Sequence, residues 1–127
     1  MKKLDFEAIS EMFREFYKIS TISHCDFLEI DNDELKLIEE TLYINKDLLD
    51  KNVYDNELAE LVKKMWGAFS ILVWYLEPNM FRKRKVFILR VKINPKFSRV
   101  LAQLNREIRR FKNGAYADIL FDVCEQE

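Results

Sequence analysis

The apolar positions along the chain fall into segments of two different periods. Residues 5–19 place Phe6, Ile9, Phe13, Phe16 and Tyr17 on one face, with Glu7, Glu11, Arg14, Glu15 and Lys18 mostly towards water. That is the spacing of an amphipathic helix. Asp5 precedes it as an N-cap whose carboxylate can accept free backbone N–H groups of the first turn. Residues 22–30 mix β-branched and aromatic side chains and predict a strand, and Asp31-Asn32-Asp33-Glu34 predicts a turn. Residues 35–50 carry both signals: Leu35, Ile38, Leu42 and Leu49 nearly fit a helix, while residues 39–44 can end a strand. We favour a hairpin of 22–30 with 35–45, followed by a loop over 46–54.

The second helix is predicted over residues 55–77, capped by Asp55. Its stripe runs through Leu58, Leu61, Val62, Met65, Trp66, Phe69, Leu72, Val73 and Leu76. Pro78 disfavours helical geometry at Glu77 and ends it. Residues 85–93 then alternate, Phe87, Leu89, Val91 and Ile93 against Arg90 and Lys92, as a strand does. Asn94 and Pro95 open a helix that buries Phe97, Val100, Leu101, Leu104, Ile108 and Phe111 and stops at Gly114. Ala117, Ile119, Phe121 and Val123 alternate again. Strand, helix and strand in this length predict a right-handed βαβ crossover. The expected order is α-β-β-α-β-α-β, an α+β two-layer sandwich.

At 127 residues the chain is expected to form one domain, 1–127, and at 49% hydrophobic it can bury a real core. Its formal net charge of -1 conceals a division. Residues 1–77 hold 9 basic and 17 acidic side chains, whereas residues 78–114 hold 12 basic and one acidic, Glu107. The basic block begins with Arg82, Lys83, Arg84 and Lys85, continues through Arg90 and Lys92 on the strand, and ends on the helix. There Arg99, Gln103, Arg106 and Arg110 recur at four, three and four residues, opposite the apolar stripe. Cations in the last turn suit the helix dipole, but Lys96 and Arg99 oppose it in the first turn, with no acid to offset them. Beside free N–H groups they predict an anion site.

The primary expectation is therefore a non-enzymatic module contacting a nucleic-acid backbone or nucleoprotein through Arg82, Lys83, Arg84, Lys85, Arg90, Lys92, Lys96, Arg99, Arg106 and Arg110. Phe81, Phe87 and Tyr116 lie near enough in sequence to stack bases, although Phe87 falls on the inward alternation. A second expectation is a protein partner. Trp74 and Tyr75 lie off the main stripe, so either the helix is sandwiched between layers or they mark an interface. The opposed charges also allow pairing of two copies. Small chains without catalytic residues and rich in lysine, asparagine and isoleucine are frequent among phage and mobile-element products that block host complexes, which makes such an inhibitor or adaptor the alternative.

Catalytic material is sparse. Two glycines leave no phosphate-binding loop, and there is no CxxC or HExxH. His24 and Cys25 are adjacent, so on a strand they point to opposite sides and form no nucleophile pair. Asp31, Asp33 and Glu34 lack the Gly and Glu spacing of a calcium loop. Asp26, Glu34 and Lys36 give a D…ExK order in which two carboxylates on adjacent strands could hold Mg²⁺. This resembles the PD-(D/E)xK nucleases, whose α-β-β-β-α-β core also begins with a helix, and the resemblance implies metal-dependent cleavage. It covers three residues; no Pro precedes Asp26, Asp33 precedes Glu34, and a third core strand before the next helix is missing. No metal or cofactor is expected. The N-terminal residues enter a charged amphipathic segment, which predicts no signal peptide. The longest uncharged run, 65–76, is too short for a membrane span. A cytoplasmic location is expected.

Overall fold

The computed structural model describes residues 2–125; Met1, Gln126 and Glu127 of the expected domain lie outside the described residues. A five-stranded sheet carries a helical layer on one face. The elements are β1 (Lys2–Asp5), α1 (Phe6–Tyr17), β2 (Phe27–Ile30), β3 (Glu34–Ile44), α2 (Lys51–Tyr75), α3 (Pro78–Phe81), β4 (Arg84–Ile93), α4 (Ser98–Ile108) and β5 (Asp118–Glu125). The strands lie in sequence order, β1-β2-β3-β4-β5. The first two pairings are antiparallel and the last two parallel, so α2 and α4 are both crossovers.

The two-layer α+β sandwich and the 35–45 strand stand as expected, with four corrections. A short strand, β1, precedes α1 and pairs with β2, Lys3 opposite Glu29 and Leu4 opposite Leu28; four residues are too few to show a period in sequence. β2 is confined to Phe27–Ile30, and residues 18–25 form an irregular connection that leaves α1 through Lys18 at φ 55. α2 starts at Lys51, capped by Asp50 rather than Asp55, because Tyr54 is already buried on the helix's inner face. Asp50 accepts from the N–H groups of Asn52 and Val53, and Asp55 pairs with Lys51 at 2.7 Å. Finally, the short helix α3 follows Pro78 where no element was expected.

One apolar cluster joins the layers. Leu28, Leu35, Leu37, Phe87, Leu89, Val91, Ile93 and Ile119 face Phe6, Ile9 and Phe13 of α1, Leu61, Met65, Ala68 and Leu72 of α2, and Val100, Leu104 and Ile108 of α4. The opposite sheet face has no helix over it. A row of apolar residues crosses its middle, Phe27 beside Ile38, Ile88 and Leu120 in register; the row on one side holds Glu29, Lys36 and Asp118 around the buried Val86, and on the other side Arg90 faces Asp122.

β3 is broken by a bulge between Glu39 and Leu42, where Thr41 adopts φ 67. A β-branched residue in that region is strained. The bulge is held by the Asp26 carboxylate, which accepts the Glu40 N–H at 2.8 Å. It restores the alternation after the extra residue, so Leu42 and Ile44 still reach the core.

The connection 18–25 packs on α2 through Gly67. A Cβ there would lie 1.8 Å from the Ser23 carbonyl oxygen, a backbone atom that cannot step aside without moving the connection. Gly67→Ala is therefore expected to destabilise the fold by about 3 kcal/mol, the upper end of ordinary overpacking costs, read as a lower urea midpoint at unchanged slope. An unchanged midpoint would show that the connection does not press on the helix.

Candidate nucleic-acid interface

The basic residues singled out in sequence divide into three groups in space. Around the start of β4 the side chains are largely occupied. Lys83 donates to the Asp31 carbonyl at 2.7 Å, and Arg84 pairs with Glu34 at 2.9 Å. Lys85 is buried, donates to the carbonyls of Phe81 and Lys83, and lies 3.9 Å from the Phe81 ring centroid. Burial lowers its pKa below the usual lysine range. Lys85 thus closes the end of α3, and Arg82 is the exposed member of the group.

The second group lies on the open sheet face. Arg90 pairs with Glu40 of the bulge and reaches Asp122 of β5 at 3.9 Å. Lys92 sits 5.9 Å from the ring of Tyr43 on β3. Because Leu89 and Val91 enter the core, the alternation sends Arg90 and Lys92 away from the helical layer.

The third group is on α4 and the turn before it. Val100, Leu104 and Ile108 bury the inner side of the helix, which turns Arg99, Arg106 and Arg110 outward. Lys96, Arg99 and Arg110 are exposed and form no ion pair with any described residue. Arg106 is exposed near Tyr54 and makes no ion pair with them either. A 3-10 turn, Pro95–Phe97, leads directly into α4, and Asn94 caps it: its side chain accepts the Lys96 N–H, while the Phe97 and Ser98 N–H groups donate to the Asn94 and Pro95 carbonyls. The free N–H groups expected beside Lys96 and Arg99 are therefore engaged, although α4 has no acid in its first turn. Arg109 and Lys112 belong elsewhere: Arg109 binds Asn105, Asp118 and the Ile119 carbonyl, and Lys112 the Ala117 carbonyl. Arg109 holds the Asp118 carboxyl below its ordinary pKa and ties α4 to β5.

The structure therefore separates what the sequence placed in one strand–helix surface. Arg90 and Lys92 lie on one side of the molecule and the α4 stripe on the other, with the sheet and core between them. From Lys96 to Arg110 the stripe spans about 20 Å at the rise of a helix. Of the candidate stacking residues, Phe87 and Tyr116 are buried, and Phe81 packs on Phe69 beneath Lys85. Phe111, at the end of the stripe, is the exposed aromatic nearby. Trp74 is half-buried against Phe13 and Phe16, with Tyr75 exposed beside it.

Lys36 lies 4.0 Å from Glu34, but Asp26 is not brought to either of them. Asp26 lies at the start of β2, level with residues 38–40 of β3, and Glu34 is at the far end of the hairpin. Five residues of strand put them about 16 Å apart. The closer partner of Lys36 is Asp31, at 3.0 Å. His24 is held by Glu7 at 2.8 Å and by the Cys25 carbonyl, while Cys25 is wholly buried and its thiol pKa is pushed up by desolvation. Cys25 and Cys124 do not form a disulfide. Among the described residues, no three of His, Cys, Asp and Glu are arranged to hold a metal. None of their helices is long and apolar enough to cross a membrane.

One polar cluster was not anticipated. Glu39 is 4% exposed and faces the helical layer, where Lys64 of α2 lies 2.8 Å from its carboxylate and Asp26 lies alongside. The sequence signal was available: Glu39 continues the inward phase of Leu35 and Leu37. Burial, reinforced by Asp26 and opposed by Lys64, raises its pKa to about 7. The folded state therefore takes up a proton that an unfolded glutamate, titrating near 4.3, has already released. This site's contribution falls as pH rises from about 4.5 to 7 and is fully lost above that. Relative to wild type, Glu39→Gln should gain on the order of 2–3 kcal/mol between pH 4.5 and pH 8, read from paired denaturant curves. A difference that stays constant with pH would contradict the assignment.

No protein-family model, curated protein or solved structure matches this chain.

Proposed function

We propose that the protein is a non-enzymatic binding module that grips a nucleic-acid backbone along the outer face of α4. The observation that carries this reading is the row of Lys96, Arg99, Arg106 and Arg110, four exposed cations without an acidic partner among the described residues. Lys96 and Arg99 lie at the start of the row, where the helix dipole disfavours cations and the first turn of α4 holds no acid to offset them. A protein gains little by holding like charges together on one helix unless an anion answers them. A polyphosphate does so and releases its condensed counterions on binding. With Phe87 and Tyr116 buried, contacts are to phosphate and sugar, and binding is indifferent to sequence.

The reading assigns about four phosphates, so log K should fall with log salt at a slope near -3.6 on a DNA duplex. Arg99→Gln and Arg106→Gln should each reduce that slope by about 1, while Arg90→Gln leaves it in place. Titration of a fluorescent duplex between low and moderate salt measures both. A flat salt dependence, or equal losses from Arg90→Gln and Arg99→Gln, would refute the assignment.

A further inference from the structure

The basic segment from residue 78 to 114 holds a single acid, Glu107. α4 carries it on the flank of the cationic row that faces α2, four residues after Gln103 and next to Arg106. Between the two helices lies a hollow of about 390 Å³, with Glu107 and Gln103 on one side and Tyr54, Lys51 and Leu49 on the other. Among the described residues Glu107 forms no ion pair with Arg106 or Arg110. Its partner is the neutral Gln103, whose amide donates to one carboxylate oxygen at 2.7 Å and leaves the other as an acceptor. An acid beside a phosphate-binding row weakens the hold on a backbone unless it answers some other group of the ligand.

Tyr54 is the second incomplete group of the hollow. It is 6% exposed, and its hydroxyl is buried without a hydrogen-bond partner. The Glu107 carboxylate approaches that hydroxyl without meeting hydrogen-bond geometry. Burial, and after it Glu107, push the Tyr54 pKa up to about 12, so the group is a donor at neutral pH. A buried polar atom left unpaired is costly. One further group lodged between the two side chains would complete both, provided that it accepts from the phenol and donates to the carboxylate. A hydroxyl does both, whereas an ionised phosphate oxygen has no proton to donate and an ammonium has no lone pair to accept with. Leu49, 66% exposed at the rim, gives the hollow an apolar wall for the carbon face of a sugar. Given the grip of α4 on a nucleic-acid backbone, on which this inference rests, we propose that Glu107 and Tyr54 read the 2′-hydroxyl of a ribose whose flanking phosphates lie on the row, so that the backbone held there is RNA. The 2′-hydroxyl is both donor and acceptor, and it is the group that separates RNA from DNA at a sugar contact. No base contact is needed, in keeping with the burial of Phe87 and Tyr116.

The test titrates the full chain into short fluorescent uridine strands built on ribose, 2′-fluoro or deoxy sugars, over a range of salt. The 2′-fluoro sugar keeps the ribose pucker but has no proton to donate. The ribose strand should bind about tenfold more tightly than either of the others at each salt concentration. Tyr54→Phe should reduce that ratio by about threefold or more, with the urea midpoint of the free protein unchanged or raised, because the hydroxyl it removes is unpaired. Glu107→Ala should erase the ratio. Arg99→Gln should instead lower the salt slope, near -2.8 for about four phosphates on a single strand, by about 0.7 and leave the ratio in place. Equal binding of the ribose and deoxy strands at an intact slope would overturn the inference and leave the α4 grip standing, with water as the group that fills the hollow. Equal binding of the ribose and 2′-fluoro strands, or a ratio untouched by Tyr54→Phe and Glu107→Ala, would overturn it too. A flat slope with the ribose preference intact would remove the row and keep the sugar contact.

Discussion

β4 sits at the centre of the parallel half of the sheet carrying Arg84, Arg90 and Lys92 on one face, and its neighbours supply acids to the two arginines. Glu34 of β3 is in register with Arg84, and Asp122 of β5 with Arg90, while the β3 bulge adds Glu40 to the same arginine. Opposite charges on adjacent strands stabilise a pairing by a fraction of a kcal/mol each, and like charges there destabilise it. The individual pairs are half-exposed and individually weak. Their joint effect is on register: a one-residue slip of β3 would turn Glu34 and Glu40 away from β4 and drive Leu35 and Leu37 out of the core. The acidic N-terminal half and the basic C-terminal half are thus two sides of one sheet interface.

That interface decides what remains available to a partner. Lysines and arginines near the start of β4 close carbonyls or meet acids, and Arg109 and Lys112 fasten α4 to the segment leading into β5. The outward residues of α4 have no such role. The helix is amphipathic in the ordinary sense, with Val100, Leu104 and Ile108 inside, but its outer face is cationic with Glu107 as the one acid, which Gln103 engages at 2.7 Å. Internal contacts therefore occupy half of the basic block, and of the cations left over most lie on α4 or the turn before it.

The parts of the fold legible in sequence were those with a long period. α1, α4 and β4 each show several apolar residues on one phase, and their caps at Asp5 and Asn94 are local hydrogen bonds that a sequence can declare. β1 was illegible because four residues carry no period and its pairing with β2 is a long-range event. The start of α2 was misplaced because Asp47, Asp50 and Asp55 are equally good caps in isolation, and the burial of Tyr54 decides among them. The site was legible in composition and illegible in arrangement. Charge blocks show how many cations exist, but not that Arg90 and Arg99 would be separated by the core. Likewise the D…ExK order does not reveal that β3 runs on for eleven residues and sets Glu39, not Glu34, level with Asp26.

The central claim is that the two arginines on the open face of β4, Arg84 and Arg90, are answered by acids within the sheet while α4 keeps its charge for a ligand. Amide chemical-shift mapping during titration with a short DNA duplex tests it residue by residue. The account predicts perturbations confined to the stretch from Lys96 to Arg110, with Arg84, Arg90 and Lys92 and the sheet face around them unmoved. Perturbations centred on β4 and Tyr43, with α4 silent, would contradict it.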